Sequence, residues 1–122
     1  MGVLVNLIPK WQDRKDYYIA IDFDGTLVVD EFPNIGKLKQ ATIELIKNKE
    51  AMLKAIGKTV RLILWTCRSD KALIAAVAFC KENNIGIYAV NENPDYQTGS
   101  DKIYADEYWD DRAVNIGVND EN

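Results

Sequence analysis

The sequence predicts one α/β domain, built on a mainly parallel sheet with helices on both faces. Three observations lead there. Short apolar runs alternate with helix-length segments, as in a parallel sheet whose strands are joined by crossover helices. Three of the four predicted strands end abruptly in polar or acidic clusters. The chain has 122 residues, 48% of them hydrophobic, which suffices for one core but hardly for two.

Residues 1–16 read as an N-terminal extension and 17–122 as the core. Within the extension, Val3 to Ile8 is apolar but broken by Asn6 and closed by Pro9, too short for a signal-peptide core or a spanning helix. Asn6 also stands where a myristoylation signal would place Ser or Thr. A soluble protein with no membrane partner is expected. Tyr17 to Ile21 is a buried strand that empties into Asp22, Phe23, Asp24, Gly25 and Thr26. Leu27 to Gly36 contains Pro33 and Gly36 and reads as a loop or small hairpin. A helix is expected from about Lys37 to Ile56, with Leu38, Ala41, Leu45, Met52, Leu53 and Ile56 on its buried face and Gly57 as its stop.

Thr59 to Trp65 is the second strand, ending on Thr66, Cys67, Arg68, Ser69 and Asp70. The next helix runs from about Lys71 to Asn83, and its unbroken apolar stretch from Ala72 to Cys80 predicts burial around most of its circumference. Ile87 to Val90 is the third strand. A polar loop, Asn91 to Asp101, leads to a fourth segment, Tyr104 to Trp109, which ends on Asp110, Asp111 and Arg112. Ligands of open α/β sheets bind beyond the carboxyl ends of the strands. Asp22, Asp24, Thr66 and Asp110 are therefore expected on one rim, with Gly25 letting the chain turn so that both Asp22 and Asp24 approach one site.

Composition narrows the chemistry. The chain has no histidine, which excludes Ser/His/Asp and Cys/His nucleophile systems, histidine phosphatases and imidazole zinc sites. A net charge of -4 argues against sequence-independent binding of nucleic acid, since phosphate backbones reward excess Lys and Arg. The two cysteines are too few for a disulfide framework and fit a cytoplasmic protein. Cys67 lies beside Thr66, but without a histidine to activate it a structural role is expected.

The string Asp22-Phe23-Asp24-Gly25-Thr26-Leu27, directly after a hydrophobic strand, resembles the first motif of the haloacid dehalogenase (HAD) superfamily. Thr66, Lys102 and the pair Asp110-Asp111 follow in the family's order, and the resemblance spans Tyr17 to Asn115. It is nearest to small capless members that read K-x-x-A-D-x-Y-x-D-D-R, as Lys102 to Arg112 does here. Many of those have Pro after the lysine, where this chain has Ile103.

The resemblance implies a Rossmann-like fold without a cap and a Mg2+-dependent phosphohydrolase that acts on a phosphomonoester through an aspartyl-phosphate. Asp22 would be the nucleophile and Asp24 the general acid and base. Thr66 and Lys102 would hold the phosphoryl oxygens. Asp22, the Asp24 carbonyl and Asp110 would bind the metal, helped by Asp111. Arg68 and Arg112 flank the site, and each either clamps the substrate or pairs with a neighbouring acid; Arg68 is the stronger candidate for substrate binding. A fully extended chain would hold Lys102 far from the rim, so either residues 103–107 bend, leaving a short strand at Tyr108 and Trp109, or Lys102 is not the catalytic lysine. Neither Leu27 to Gly36 nor Tyr88 to Lys102 has room for a cap domain. Such an open site goes with macromolecular substrates or with a neighbouring subunit of a homo-oligomer as lid. The alternatives are a phosphotransferase or nucleotidase on the same scaffold, or a non-catalytic binding module that kept the fold.

Overall fold

A computed structural model describes residues 8–112. The apolar run at Val3 to Ile8 lies outside these residues except for Ile8, as do the last residues of the resemblance, 113–115. A 3-10 turn, Trp11–Asp13, precedes strand β1, Asp16–Ile21. Then come β2 (Val28–Glu31), β3 (Asn34–Leu38), α1 (Gln40–Ala55), β4 (Thr59–Leu64), α2 (Asp70–Glu82), β5 (Ile87–Val90) and β6 (Glu107–Trp109). The main sheet has the order β5-β4-β1-β6 with all pairs parallel, while β2 and β3 form a separate antiparallel hairpin. This is a single Rossmann-like α/β domain. Among the described residues, no helix is long and apolar enough to cross a membrane.

The register brings the strand ends level. Ile21 stands beside both Leu64 and Trp109, and Leu64 stands beside Val90. The residues that leave this row, Asp22, Trp65, Asp110 and Asn91, therefore emerge at one height. Because β1 has β4 on one side and β6 on the other, Asp22 leaves at the point where the strand order reverses.

Alternation along the strands divides the core into two layers. Tyr17, Ile19, Ile21, Leu62 and Leu64 pack with Ile46 and Leu53 of α1 and with Ala76 and Cys80 of α2. Tyr18, Ala20 and Ile63 face the other way, onto Ile103, Ala105, Tyr96 and Tyr104. Both described helices thus cover one face and, among the described residues, 91–106, read from the sequence as a polar loop and a strand, cover the second. Right-handed crossovers explain this: β1, β4 and β5 step in one direction, which puts α1 and α2 on the same side, and the return to β6 must cross the opposite face. That return carries Pro94 and Gly99 and has no helical period.

Other boundaries move as well. Lys37 and Leu38, read as the start of a helix, belong to β3, and the helix begins at Gln40. On α1 the buried residues are Thr42, Ile46 and Leu53, whereas Leu45, Met52 and Ile56 are exposed. Only Ala76 and Cys80 of α2 are fully buried; Val77 and Phe79 pack half-buried against the core, while Ile74, Ala75 and Ala78 are exposed, so the burial expected around most of its circumference is confined to one side. The segment before β1 is bound into the domain by Arg14. Its guanidinium donates to Pro9 O, Asp16 O, the Tyr104 hydroxyl and both oxygens of Asp106, and it lies within 5.3 to 5.8 Å of the rings of Tyr18, Tyr96 and Tyr104.

Candidate functional site

The rim is built from the end of β1 outward. Asp22 N–H donates to Trp109 O at 3.0 Å, extending the β1–β6 ladder by one step. Phe23 then anchors the turn: its ring is buried edge-on against Phe79, and its carbonyl accepts from the N–H groups of Thr26, Leu27 and Val28. Gly25 has φ +90°, and a Cβ there would lie 2.3 Å from Asp111 Oδ2. The turn is pinned from behind by α1 and its flank, where Lys39 Nζ donates to Gly25 O and the Thr42 hydroxyl donates to Thr26 O. Asp111 N–H donates to the Thr26 hydroxyl, which ties the exit of β6 to the same turn.

Three carboxylates meet here. Asp22, Asp110 and Asp111 each offer an oxygen within 4.8 Å of the others. One oxygen of Asp22 accepts Phe23 N–H at 2.8 Å. Burial and the nearby charges of Asp110, Asp111 and Asp24 outweigh that hydrogen bond and push the Asp22 carboxyl up to about 6. An open pocket of about 390 Å³ lies over the cluster, lined also by Asp24, Phe32, Thr66 and Arg68.

Thr66 follows β4 as the sequence predicts. Its backbone N–H donates to Asn91 Oδ1, and its hydroxyl oxygen accepts Arg68 N–H at 3.1 Å, which leaves the hydroxyl proton free to donate. Asn91 is a contributor that the sequence reading missed. Its signal was an Asn directly after a strand, a position that tolerates the left-handed backbone found there, φ +54°.

Asp24 shares the rim but turns its carboxylate to Arg68, with hydrogen bonds of 2.7 and 2.8 Å from Nε and Nη2. Arg68, a candidate for substrate binding in the sequence reading, is the partner of an acid instead, because its side chain is 1% exposed and reaches inward between Phe23 and Phe32. Arg112 likewise approaches an acid, Asp30 of β2, at 3.9 Å.

Lys102 is not brought to the pocket. The bend predicted between it and a short strand is present, since β6 starts only at Glu107. The ammonium nevertheless lies over the Tyr108 ring at 5.6 Å and lines a separate polar hollow in residues 91–103. Tyr108 alternates onto the second face of the sheet, where its hydroxyl donates to Ile103 O, and Lys102 follows it there.

The fold is shared with a solved structure of a conserved protein coded by a locus of Bacteroides thetaiotaomicron, with a TM-score of 0.63. The two sequences are 35% identical over 85% of this chain and 86% of that one. The chain belongs to the family of that Bacteroides protein. The description of that relative names no activity. No family model matches the chain, and no curated protein does.

Proposed function

We propose that the chain is a Mg2+-dependent phosphohydrolase of the HAD type that cleaves a phosphomonoester through an aspartyl-phosphate. The observation that carries this reading is the meeting of Asp22, Asp110 and Asp111 within 4.8 Å beside an open pocket. The donor set fits the metal. All three side chains offer hard oxygens, the type that Mg2+ takes, and they lie within reach of one ion. Bound there, Mg2+ supplies the positive charge that lets a phosphate dianion approach three carboxylates and that polarises its phosphoryl oxygens.

The chain's own residues supply the rest. With one oxygen held by Phe23 N–H, the other oxygen of Asp22 attacks phosphorus; a P–O bond to Asp22 forms as the bond to the leaving oxygen breaks. To give the leaving oxygen its proton, and later to take one from the water that hydrolyses the aspartyl-phosphate, Asp24 must use a carboxyl lone pair that the Arg68 fork leaves open. The free hydroxyl proton of Thr66 donates to a phosphoryl oxygen. Lys102 takes no step, because it lies over Tyr108. The free thiols, Cys67 exposed and Cys80 buried, are compatible with a reducing cytoplasm.

The position of Lys102 favours one competing reading, a binding module that kept the fold but not the reaction. Hydrolysis of nitrophenyl phosphate and a panel of phosphorylated metabolites separates the two. The enzyme reading expects turnover with Mg2+ that chelation abolishes, and its loss in Asp22→Asn with the circular dichroism spectrum unchanged. Absence of turnover across the panel, or a folded Asp22→Asn variant that keeps near-wild-type rates, overturns it.

A further inference from the structure

Arg68 is the most completely used cation of the pocket. Nε and one Nη2 proton hold both oxygens of Asp24, the second Nη2 proton goes to Asn34 O at 3.0 Å, and Nη1 donates to Pro33 O and Ala72 O at 3.3 Å each. A guanidinium has five N–H donors, so none is left for a ligand. The plane is packed between two rings, with its carbon 5.1 Å from the Phe23 centroid and 5.0 Å from that of Phe32. Pro33 and Asn34 sit at the β2–β3 turn and at the start of β3, and the Phe32 ring beside them is 58% exposed in the pocket wall.

We infer that Arg68 is a positioning residue that ties the Asp24 carboxylate to the β2–β3 hairpin, so that the acid and the hairpin tip move as one unit. It does not bind substrate. The fork of a guanidinium is what makes this tie possible, because two parallel bonds fix the carboxylate plane while two of the other donors reach the hairpin carbonyls of Pro33 and Asn34 and the last braces the group on Ala72 O of α2. A lysine at this position keeps the charge and loses the fork. A substrate whose leaving group presses on Phe32 is therefore felt at Asp24. Discrimination between leaving groups then belongs to kcat more than to KM.

The kinetic part of the test rests on the phosphohydrolase reading; a second part does not. In the first, Arg68→Lys lowers kcat for an alkyl phosphate about as far as Asp24→Asn does, a loss of about 10²–10⁴-fold, with KM nearly unchanged. Nitrophenyl phosphate, which needs no proton on its leaving group, loses far less. The double variant is no slower than Asp24→Asn alone, because the two residues act as one. A rise in KM with kcat kept, or losses that multiply in the double variant, makes Arg68 an independent substrate ligand and overturns the inference.

The second part is hydrogen exchange of the hairpin amides, whose ladder pairs Asp30 with Ile35 and Glu31 with Asn34. Asp24→Asn lowers their protection as Arg68→Lys does, while the amides of β1 and β4 keep theirs. Unchanged hairpin protection in Asp24→Asn overturns the tie whatever the activity. A wild-type protein without phosphatase activity would sink the proposed function, and the exchange measurement would then decide the inference by itself.

Discussion

Gly25 joins two requirements at one position. Its φ of +90° is a conformation that side-chain-bearing residues avoid, and its missing Cβ leaves space that the Asp111 carboxylate fills. Gly25→Ala should therefore lose about 1–3 kcal/mol of stability to backbone strain, read by chemical denaturation. The displaced Asp111 should also weaken Mg2+ binding in a calorimetric titration, and unchanged affinity would show that Asp111 does not hold the ion. Half of this was legible in the sequence. A glycine after Asp-x-Asp announces a turn, because the backbone requirement is local. Its contact with Asp111 is tertiary and leaves no local mark. The same division runs through the site: Asp22, Asp110 and Asp111 could be read from strand ends, whereas Arg68 and Asp24 choose each other over a long separation, and the aim of Lys102 depends on which face Tyr108 takes.

β6 is the shortest strand of the main sheet, and Glu107 holds it in place. Its carboxylate accepts from Tyr17 of β1, from Trp109 Nε1 and from Lys49 of α1. Burial alone would raise its pKa, but these three partners prevail and hold it below its ordinary value of 4.5. A group with a lowered folded value stabilises the protein above its unfolded value and loses that contribution as pH falls through the folded one. Glu107→Gln should thus be less stable than wild type at neutral pH, and the gap should close below about 4.5. A gap that stays constant with pH would remove the ionic role. The sequence reads the segment from Tyr104 to Trp109 as the strand and offers, as one of two choices, a bend that leaves a short strand at its end; the fold takes the short strand, and Tyr104 and Ala105 cover the second face of the sheet. The start of α1 was misplaced for a similar reason. Leu38 satisfies a helical period with Ala41 and Leu45, but it packs on the core from a hairpin strand, and periodicity cannot separate the two over so few residues.

Across the molecule, the parallel order of the sheet was legible from the alternation of elements, but the covering of its second face was not. That face depends on Arg14, in a segment whose polar composition hid its role. Its side chain and that of Asp106 are each 4% exposed, and the pair is surrounded by three tyrosines. Arg14→Met should lose about 3–5 kcal/mol, because it leaves Asp106 buried without its cation. The matched variant Arg14→Met with Asp106→Leu should recover much of that loss in the same denaturation experiment. Asp106→Leu also orphans the Tyr18 N–H and the Tyr104 hydroxyl that its carboxylate accepts, so Arg14→Met with Asp106→Asn, which keeps an acceptor, is the control. Failure of both pairs to recover would mean that Arg14 acts through its contacts with the rings and backbone more than through the charge of Asp106. The pairing of β1 with β6 has one further result. Asp22 lies early in the chain and Asp110 and Asp111 late, so opening β6 alone dismantles the carboxylate cluster while both helices stay folded. Any ion held there binds the closed state only, and by mass action each tenfold rise in its concentration above Kd makes that partial opening about tenfold rarer. Protease cleavage near residues 103–109 would then slow in proportion to ion occupancy, turning the last strand into a gauge of how full the site is.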